Sequence, residues 1–293
     1  MLLKGLYLPG FETHWSRQIN ELLIFILLVT MKTPISYYGG KQNMLRHILP
    51  NLPVMNLYCE PFVGGGAVFW AKEPSKVEII NDTNRELINF YEVVQNDFVS
   101  LEQMVRITLH SRSLFNDARV IYNNPHMFSR IKRAWAVWVL STQGFAAKLD
   151  GSWGYDKQDS SVPTKLKNKR DSFTEELAMR LQNVQIECTD ALRIIRSRDT
   201  KDSFFYCDPP YYNSDCGHYD GYSFEDFENL LKALSKLEGR FLLSSYRSDV
   251  LAKYMAENGW FQSDFEATVS VSRKKTYMKK KIEVLTANYS LNS

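Results

Sequence analysis

Residues 56–70 read NLYCEPFVGGGAVFW, and this stretch decides the fold of the chain. An apolar run of strand length ends at Glu60, three glycines follow at Gly64, Gly65 and Gly66, and an apolar run of helical composition begins at Ala67. A strand, a glycine loop and a helix in this order form the nucleotide-binding unit of open α/β sheets, in which glycines let the backbone approach the ligand. We therefore predict an α/β fold whose ligand site lies at the carboxyl edge of the sheet.

The charge at the end of this strand restricts the ligand. The loop lacks both the Gly-x-Gly-x-x-Gly spacing of dinucleotide binders and the Gly-Lys-Ser/Thr of phosphate-binding loops. Glu60 stands ahead of the loop instead, and a carboxylate there repels phosphate, which favours a ligand with a positive charge such as the ammonium group of S-adenosylmethionine. Asp82 ends a second strand over residues 77–81, roughly 20 residues after the glycine loop, where an acid commonly binds ribose hydroxyls. Capping of the next helix by Asp82 or Thr83 is the alternative.

A second strand-end motif indicates the other substrate. Residues 203–207 form an apolar strand pattern, and Asp208, Pro209, Pro210 and Tyr211 follow it directly. Asp208 is able to accept a hydrogen bond from an amino group, the prolines have no N–H and hold nearby carbonyls outward as further acceptors, and Tyr211 suits stacking on a planar base. Together they suit an exocyclic amine on a heteroaromatic ring. A strand that ends in a simple proline turn is the alternative.

Two shorter segments are candidates for the same site. Residues 36–41 read SYYGGK, in which two aromatic residues precede a tight glycine turn and Lys41 begins a helical pattern, and this arrangement suits a ligand with a carboxylate or a ring. Asp190 follows a strand pattern over residues 183–188. It is a candidate contact for an adenine amino group, or else the cap of a helix that begins at Ala191.

Residues 97–183 interrupt the alternation of strands and helices. They hold 13 Lys plus Arg and 9 Asp plus Glu, so their net charge of +4 exceeds the +3 of the whole chain. Helical patterns lie near residues 101–109 and 127–140, and residues 144–155 indicate a glycine-rich loop or hairpin. Cations mixed with aromatic residues fit nucleic-acid contact, and a solvated charged loop is the alternative. The candidate DNA-binding residues are Lys148, Trp153, Tyr155, Lys165, Lys167, Lys169 and Arg170.

The C-terminal third completes the predicted sheet. A helix is expected over residues 225–237, a strand over 240–244, and two β segments over 261–271 and 282–289. The polar loop at residues 212–222 is predicted to be a mobile lid. A basic turn at residues 273–281 is either a phosphate contact or a solvated hairpin tip.

Composition and the N-terminal segment exclude several classes of protein. The 293 residues include four cysteines without a C-x-x-C pair and five scattered histidines, which predicts a reduced cytoplasmic chain with no structural zinc and no other metal.

The apolar run at residues 22–29 is too short for a membrane span, which needs about 20 residues. Residues 1–30 precede Met31-Lys32, which resembles an ordinary translation start, and they are predicted to be a dispensable extension. A short surface helix is the alternative for this segment.

In combination these motifs resemble the Dam-like, alpha-group DNA adenine N6-methyltransferases. The matching stretches are YGGK at residues 38–41, EPFVGGG at 60–66, NDTN at 81–84 and DPPY at 208–211, while EVLTANY at 283–289 is similar to the family's last strand. The likeness runs from about residue 32 to the C-terminus. Two features depart from the family pattern: Tyr37-Tyr38 stands where many relatives have Trp-Ala, and the insertion is only loosely similar to that of the GATC enzymes.

The resemblance implies a Rossmann-like S-adenosylmethionine-dependent methyltransferase sheet with an inserted, mostly helical target-recognition domain. Residues 31–96 and 184–293 would form the catalytic domain and residues 97–183 the insertion. Asp208, Pro209, Pro210 and Tyr211 would be catalytic, with Asp208 on the target N6 amine and Tyr211 stacked on the adenine. The implied cofactor-binding residues are Tyr37, Tyr38, Gly39, Gly40, Lys41, Glu60, Pro61, Phe62, Gly64, Gly65, Gly66, Asp82, Asp190 and Asp208.

We therefore predict a site-specific enzyme that transfers a methyl group from S-adenosylmethionine to N6 of an adenine in double-stranded DNA. A base inside a duplex cannot reach such a cleft, so the adenine has to flip, at a cost on the order of a few kcal/mol. An RNA amine-directed methyltransferase and a catalytically silent DNA-binding regulator are the alternatives. The predicted form is a cytoplasmic monomer of bacterial or phage origin that uses neither membrane nor metal. Both an orphan enzyme and the partner of a cognate restriction endonuclease stay open.

Overall fold

A seven-stranded sheet organises the part of the chain that the structure describes. The computed structural model describes residues 31–158, 160–212, 222–267 and 281–292. The strands are β1 (Leu57–Glu60), β2 (Val77–Asn81), β3 (Gln185–Glu187), β4 (Ser203–Cys207), β5 (Arg240–Tyr246), β6 (Phe261–Ala267) and β7 (Lys281–Ala287). Their order across the sheet is β3-β2-β1-β4-β5-β7-β6. The pairs from β3 to β5 are parallel, and β7 runs antiparallel to both β5 and β6.

Helices cover the sheet and build the insertion. They are α1 (Leu45–Ile48), α2 (Ala67–Ala71), α3 (Arg85–Asn96), α4 (Phe98–Ile107), α5 (Arg112–Asn123), α6 (Arg130–Gln143), α7 (Ser161–Asp171), α8 (Glu176–Leu181), α9 (Ala191–Arg198), α10 (Phe224–Leu234) and α11 (Asp249–Asn258). Short 3-10 turns lie at Gln42–Met44, Leu49–Asn51, Pro125–Met127 and Phe145–Ala147. Among the described ranges, no helix has the length and apolarity needed to cross a bilayer.

The two faces of the sheet bury two separate cores. Along β4, Phe204 and Tyr206 face one hydrophobic cluster, while Phe205 and Cys207 face the other. The first cluster includes side chains of α3 to α6 and α8, and the second includes side chains of α9 to α11. Because both faces are covered, the inner strands are apolar at almost every position, which is why they read as continuous hydrophobic runs. The arrangement confirms the predicted α/β fold.

The sequence patterns locate most of the strands but fewer of the helices. The predicted strands at residues 77–81 and 203–207 have the observed bounds, and the glycine loop is followed by a helix as predicted. The helical patterns near residues 101–109 and 127–140 correspond to α4 and α6, while α5, α7, α8 and α11 were not predicted. The cap of α3 is neither Asp82 nor Thr83 but Asn84, whose side chain accepts hydrogen bonds from the backbone N–H of Glu86 and Leu87.

Several predictions fall on residues that the structure does not describe. Residues 1–30 carry the predicted extension, residues 213–221 most of the predicted lid, and residues 268–280 most of the basic turn. All three ranges lie outside the described residues.

Several insertion helices pack on α3 and share its hydrophobic core. Trp138 of α6 is fully buried in the same cluster as Phe90 of α3 and Tyr58 of β1. Weak hydrophobic periodicity explains why α7 is hard to recognise, since Leu166 is its only buried residue among many charged ones. Residues 97–183 therefore share a continuous core with the strands and helices on either side of them in the chain.

A buried ion cluster adds a polar link between the insertion and the sheet. Glu78 of β2 lies between Lys72 and Arg180 of α8, and the three side chains are 4% to 8% exposed. Lys72 Nζ donates to Glu78 Oε1 at 2.6 Å, and Arg180 Nη2 donates to the same oxygen at 2.9 Å. Arg180 also donates to the backbone carbonyl of Phe69 at 3.1 Å and lies over the Phe69 ring. The cluster thus joins α8 to β2 and to the helix that follows the glycine loop.

Candidate active site

A cavity of about 660 Å³ opens at the carboxyl edge of the sheet, beyond the ends of β1, β2 and β4. Every residue predicted to bind the cofactor or to act in catalysis lines it, although the set spans residues 37 to 211 of the chain. Parallel strands explain this, because their carboxyl ends meet at one edge and bring the strand-end residues together. The roles of these residues in binding stay predictions.

Glu60 is a buried carboxylate in the wall of this cavity. It is 2% exposed, and its Oε2 accepts hydrogen bonds from the hydroxyl of Tyr58 at 2.8 Å and the backbone N–H of Phe69 at 3.2 Å. Burial raises its pKa to about 8, against the opposing effect of the Tyr58 hydrogen bond, and the nearby Asp208 charge raises it further. A cation in the cavity would restore the ionised form, so the site favours a positively charged ligand group.

Asp82 organises the glycine loop from the end of β2. Its Oδ2 accepts from the backbone N–H of Gly64 at 3.1 Å, and its Oδ1 accepts from the backbone N–H of Asn84 at 2.8 Å. Burial raises the pKa of Asp82, while these backbone hydrogen bonds lower it. A carboxylate oxygen has room for more than one donor, so these bonds are compatible with a ribose hydroxyl as an additional partner.

Tyr37 packs on the glycine loop from the cavity side. Gly64 has a positive φ of 46°, and a Cβ at Gly65 would lie 2.8 Å from the Cβ of Tyr37, closer than two carbon atoms approach. The hydroxyl of Tyr91 donates to the carbonyl of Gly64 at 2.7 Å from the opposite side. The glycines are thus needed for the close approach of an aromatic side chain as well as for a backbone turn.

Lys41 and Asp208 form an ion pair in the wall of the cavity. Lys41 Nζ lies 2.9 Å from Asp208 Oδ1 and donates to the carbonyl of Gly39 at 3.0 Å. Burial lowers the pKa of Lys41, but the Asp208 charge and hydrogen bond together with Tyr206 and Glu283 outweigh it, so the net shift of the pKa is upward. Burial raises the pKa of Asp208, and Lys41 lowers it. The predicted amine acceptor is therefore held by a cation from the first motif of the chain.

The Tyr211 ring has protein contacts of its own. Its hydroxyl donates to Asp208 Oδ1 at 3.3 Å and lies 3.0 Å from the hydroxyl of Ser244. The ring meets Tyr246 edge to face with centroids 4.4 Å apart, and Lys41 Nζ lies 4.9 Å from the ring centroid. These contacts hold the ring at the cavity wall, where its predicted partner is the adenine.

Asp190 both lines the cavity and caps α9. Its carboxylate accepts a hydrogen bond from the backbone N–H of Arg193 at 3.0 Å, which confirms the capping alternative. Its position on the cavity wall leaves the predicted adenine contact open as a second role.

Sequence patterns missed several residues that line the same cavity. They are Tyr206, Tyr222, Asp226, Tyr246 and Glu283. Tyr206 lies two residues before Asp208, so strand alternation was a usable signal for it. Glu283 is an acid inside an otherwise apolar strand, which was a second usable signal. The positions of Tyr246 and Asp226 depend on how β5 and α10 pack and have no local signature.

The predicted DNA-binding residues lie outside the cavity lining in two groups, one in the loop after α6 and one on α7. Lys148 Nζ lies 4.7 Å from the centroid of the Tyr38 ring, near the cavity. Trp153 stacks on His110 and on Tyr155 with centroids 4.6 Å and 5.7 Å away, and the Arg112 guanidinium lies 4.6 Å from the Trp153 centroid. His110 and Arg112 extend the predicted aromatic and basic surface.

The lysine-rich stretch of α7 is only partly exposed. Lys165 is exposed, and Lys167 is exposed and pairs with Asp171 at 2.6 Å. Lys169 instead donates to the carbonyl and hydroxyl of Thr33 and to the carbonyl of Ile35, and burial lowers its pKa to about 8. Arg170 donates to the carbonyl of Thr108 at 2.9 Å. The last two charged groups are engaged by the protein backbone, which a linear charge pattern does not reveal.

Metal ligands are a separate question. Across the ranges that the structure describes, no group of His, Cys, Asp and Glu side chains is arranged to hold a metal ion.

Fold and site together define an α/β protein with a cavity at the carboxyl edge of its parallel strands, acids at three strand ends and an Asp-Pro-Pro-Tyr motif. Comparison with known proteins gives the family: residues 37–279 match the sequence model of the D12 class N6 adenine-specific DNA methyltransferases. The chain belongs to this family, which confirms the resemblance and the predicted reaction, methylation of adenine N6 in DNA.

Individual relatives agree with the family match. A type II methyltransferase from Lactococcus lactis subsp. cremoris is 27% identical over 280 residues, covering 89% of this chain and 96% of the relative. A type II methyltransferase from Methanocaldococcus jannaschii is 29% identical over 76% of this chain and 87% of the relative. A DNA adenine methylase from Salmonella typhi is 30% identical over 60% of this chain and 64% of the relative.

Proposed function

We propose that this chain binds S-adenosylmethionine in the cavity and methylates N6 of an adenine that is flipped out of double-stranded DNA. The observation that carries the proposal is the convergence of three carboxylates, Glu60, Asp82 and Asp208, at the carboxyl ends of the adjacent parallel strands β1, β2 and β4. Family membership supports adenine and DNA as the substrate. The geometry supports the assignment of roles to individual residues.

The cavity fits a ligand with a cationic amino acid end and a ribose. Its volume lies in the usual range for small-molecule sites. Glu60 needs a cation to stay ionised at neutral pH, and the Tyr206 and Tyr222 hydroxyls are buried without a hydrogen-bond partner among the described residues. When bound, S-adenosylmethionine supplies an electrophilic methyl group. Glu60 would hold its ammonium group and Asp82 its ribose hydroxyls, with Phe62 as part of the apolar wall.

Asp208 would receive the target amine. The lone pair of adenine N6 is delocalised into the ring, which makes the amine a poor nucleophile. Hydrogen bonds from its two N–H groups to Asp208 and to the carbonyl of Pro209 would favour a tetrahedral nitrogen and stabilise the positive charge that develops there. Stacking on Tyr211 is worth about 1–3 kcal/mol and would offset part of the flipping cost.

The insertion would supply the DNA contacts. Lys148 lies beside Tyr38 near the cavity, and the stack of Trp153 and Tyr155 carries a guanidinium from Arg112. Exposed Lys165 and Lys167 suit phosphates. Lys169 and Arg170 drop out of this proposal because backbone carbonyls already engage their charged groups.

Further properties are proposed from this chemistry. A monomer suffices, since one chain provides all the residues named above. Its DNA substrate makes the cytoplasm of a bacterial or infected cell the expected place of action. If methylation is confined to one short motif, a cognate restriction endonuclease with the same motif becomes the expected partner.

Sequencing of modified DNA tests the proposal. Unmethylated genomic DNA is incubated with the purified protein and S-adenosylmethionine, in parallel with Asp208→Ala, and N6-methyladenine is mapped by single-molecule sequencing. We expect the modification in one short motif and none with the variant. Full activity of Asp208→Ala would refute the role of Asp208. Methylation of RNA but not DNA by an otherwise competent enzyme would favour the RNA alternative.

A further inference from the structure

A further carboxylate, Glu283, reaches the cavity of the Lys41–Asp208 pair from the antiparallel part of the sheet. Glu283 lies on β7, where its Cα pairs with that of Tyr246 on β5, and its side chain lines the cavity. Its Oε2 is buried and has no hydrogen-bond partner among the described residues. A buried carboxylate oxygen without a donor is costly, so this oxygen requires an explanation, and a catalytic role is one that such groups have.

The charges around Glu283 indicate a partner for this oxygen. Burial raises the pKa of Glu283, the Lys41 charge opposes this shift, and the Asp208 charge adds to it, so Lys41 is the cation that favours the ionised form of Glu283. Conversely, Glu283 raises the pKa of Lys41, after the larger contributions of Asp208 and Tyr206. Lys41 is therefore close enough to both carboxylates to interact with them electrostatically, and in this structure it forms an ion pair with Asp208, at 2.9 Å, and not with Glu283.

Methyl transfer creates a conflict at this point. The adenine amine requires hydrogen-bond acceptors at Asp208, and N6 becomes positively charged as the methyl group bonds to it. Lys41 on the same carboxylate occupies an acceptor and repels that charge. The Lys41–Asp208 pair alone is electrically neutral, whereas one cation with two carboxylates leaves a net negative charge that stabilises the developing cation.

We propose that Glu283 is a positioning residue that takes over Lys41 when the target amine occupies Asp208. The proposal rests on the proposed function, in which Asp208 binds that amine. Glu283 would act through Lys41 and would not contact the adenine itself. Its loss would leave Lys41 on Asp208 in competition with the substrate.

A double-mutant cycle tests this role. Initial rates of N6-methyladenine formation on unmethylated genomic DNA are measured for the wild type, Glu283→Gln, Lys41→Met and the double variant. We expect Glu283→Gln to lower kcat by about 10- to 100-fold when Lys41 is present. In the Lys41→Met background we expect it to lower kcat by less than about threefold, because Glu283 would act through Lys41. An equal loss in both backgrounds would overturn the proposal.

Two further measurements separate positioning from packing. Glu283→Asp keeps the charge and is expected to be at least about fivefold more active than Glu283→Gln. Equal activity of the two variants would overturn the proposal even if Lys41→Met is inactive. Binding of S-adenosylmethionine by Glu283→Gln is expected to stay within about twofold of the wild type, because Glu283 acts on the target side. A larger loss of cofactor affinity would assign Glu283 to the cofactor site instead.

Controls keep the two levels of inference apart. Glu257→Gln alters an exposed carboxylate of α11 and is expected to leave the rate unchanged. Full activity of Asp208→Ala would refute the proposed function and with it the role of Glu283. If Asp208→Ala is inactive but Glu283→Gln lowers the rate equally in the wild-type and Lys41→Met backgrounds, only the role of Glu283 is refuted.

Discussion

Replacing Glu78 with Gln is expected to destabilise the fold severely. The substitution keeps the shape of the side chain but leaves Lys72 and Arg180 as buried cations, 4% and 8% exposed, without a counter-charge. Breaking a buried ion pair by removing one partner costs about 3–5 kcal/mol. Other acceptors remain, since Lys72 also donates to the carbonyl of Glu73 at 2.7 Å and Arg180 to that of Phe69, so we expect the lower half of this range. That is a large part of the 5–15 kcal/mol by which proteins are commonly stable.

The pH dependence of this loss follows from the Glu78 pKa. Burial raises the pKa of Glu78, but the Arg180 hydrogen bonds and the Lys72 charge outweigh it, so the folded-state pKa lies below the ordinary value of 4.5. A depressed carboxyl pKa contributes stability above about pH 4.5, and this contribution disappears as the pH falls through the folded pKa. The difference between wild type and Glu78→Gln should therefore be full at pH 7 and shrink below pH 4.5.

Urea unfolding followed by circular dichroism provides the measurement. The matched control is Glu92→Gln, which removes the carboxylate of an exposed pair with Arg130, 39% and 53% exposed, and is expected to cost less than about 1 kcal/mol. A loss of under about 1 kcal/mol for Glu78→Gln at pH 7, similar to that of the control, would refute the reasoning. It would mean that water or side-chain movement solvates Lys72 and Arg180 once Glu78 is neutral.

Three more predictions concern the cavity and the insertion. Because the pKa of Glu60 is about 8, the affinity for S-adenosylmethionine measured by calorimetry should rise as the pH approaches that value from below. Glu60→Gln should weaken this pH dependence. An identical pH profile in the variant would contradict the role of Glu60. Gly65→Ala forces a Cβ against Tyr37, 2.8 Å away, and should reduce cofactor affinity by roughly tenfold, as overpacking costs about 1–3 kcal/mol; unchanged affinity would show that Tyr37 moves freely. Lys169→Met should increase proteolysis near residue 33 and leave the salt dependence of DNA binding unchanged. Lys165→Ala should instead lower the slope of log affinity against log salt concentration by about 1. A lower slope for Lys169→Met and an unchanged slope for Lys165→Ala would place Lys169 on the DNA.

Strand-end residues were predictable from the sequence because parallel strands collect them at one edge. Glu60, Asp82 and Asp208 each follow an apolar run, so the βα layout alone was enough to predict that they lie close together. The capping residue of α3 was harder to predict. Asp82, Thr83 and Asn84 all have suitable side chains, and the observed geometry uses Asp82 for the glycine loop and Asn84 for the cap.

Tertiary packing decided the features that sequence patterns missed. Lys169 belongs to a basic run in the chain, yet its charge lies against the backbone of Thr33 and Ile35, 136 and 134 residues earlier. Glu283 comes from the far end of the chain and reaches the cavity only because β7 pairs with β5. Lys169 has no local signal that separates it from its exposed neighbours, whereas Glu283 is marked as an acid next to apolar strand residues but has no signal that places it at the cavity.

The order of the strands has a consequence for synthesis of the protein. β7 follows β6 in the chain but lies between β5 and β6 in the sheet. While a ribosome is making the chain, β5 therefore keeps an open edge until β7 emerges, and β6 has no strand to join. A product truncated before β7 would expose that edge and aggregate or be degraded, since open edges are templates for aggregation. A chain truncated before β7 would also lack Glu283 and part of the cavity lining, so loss of the fold and loss of the complete site would occur together.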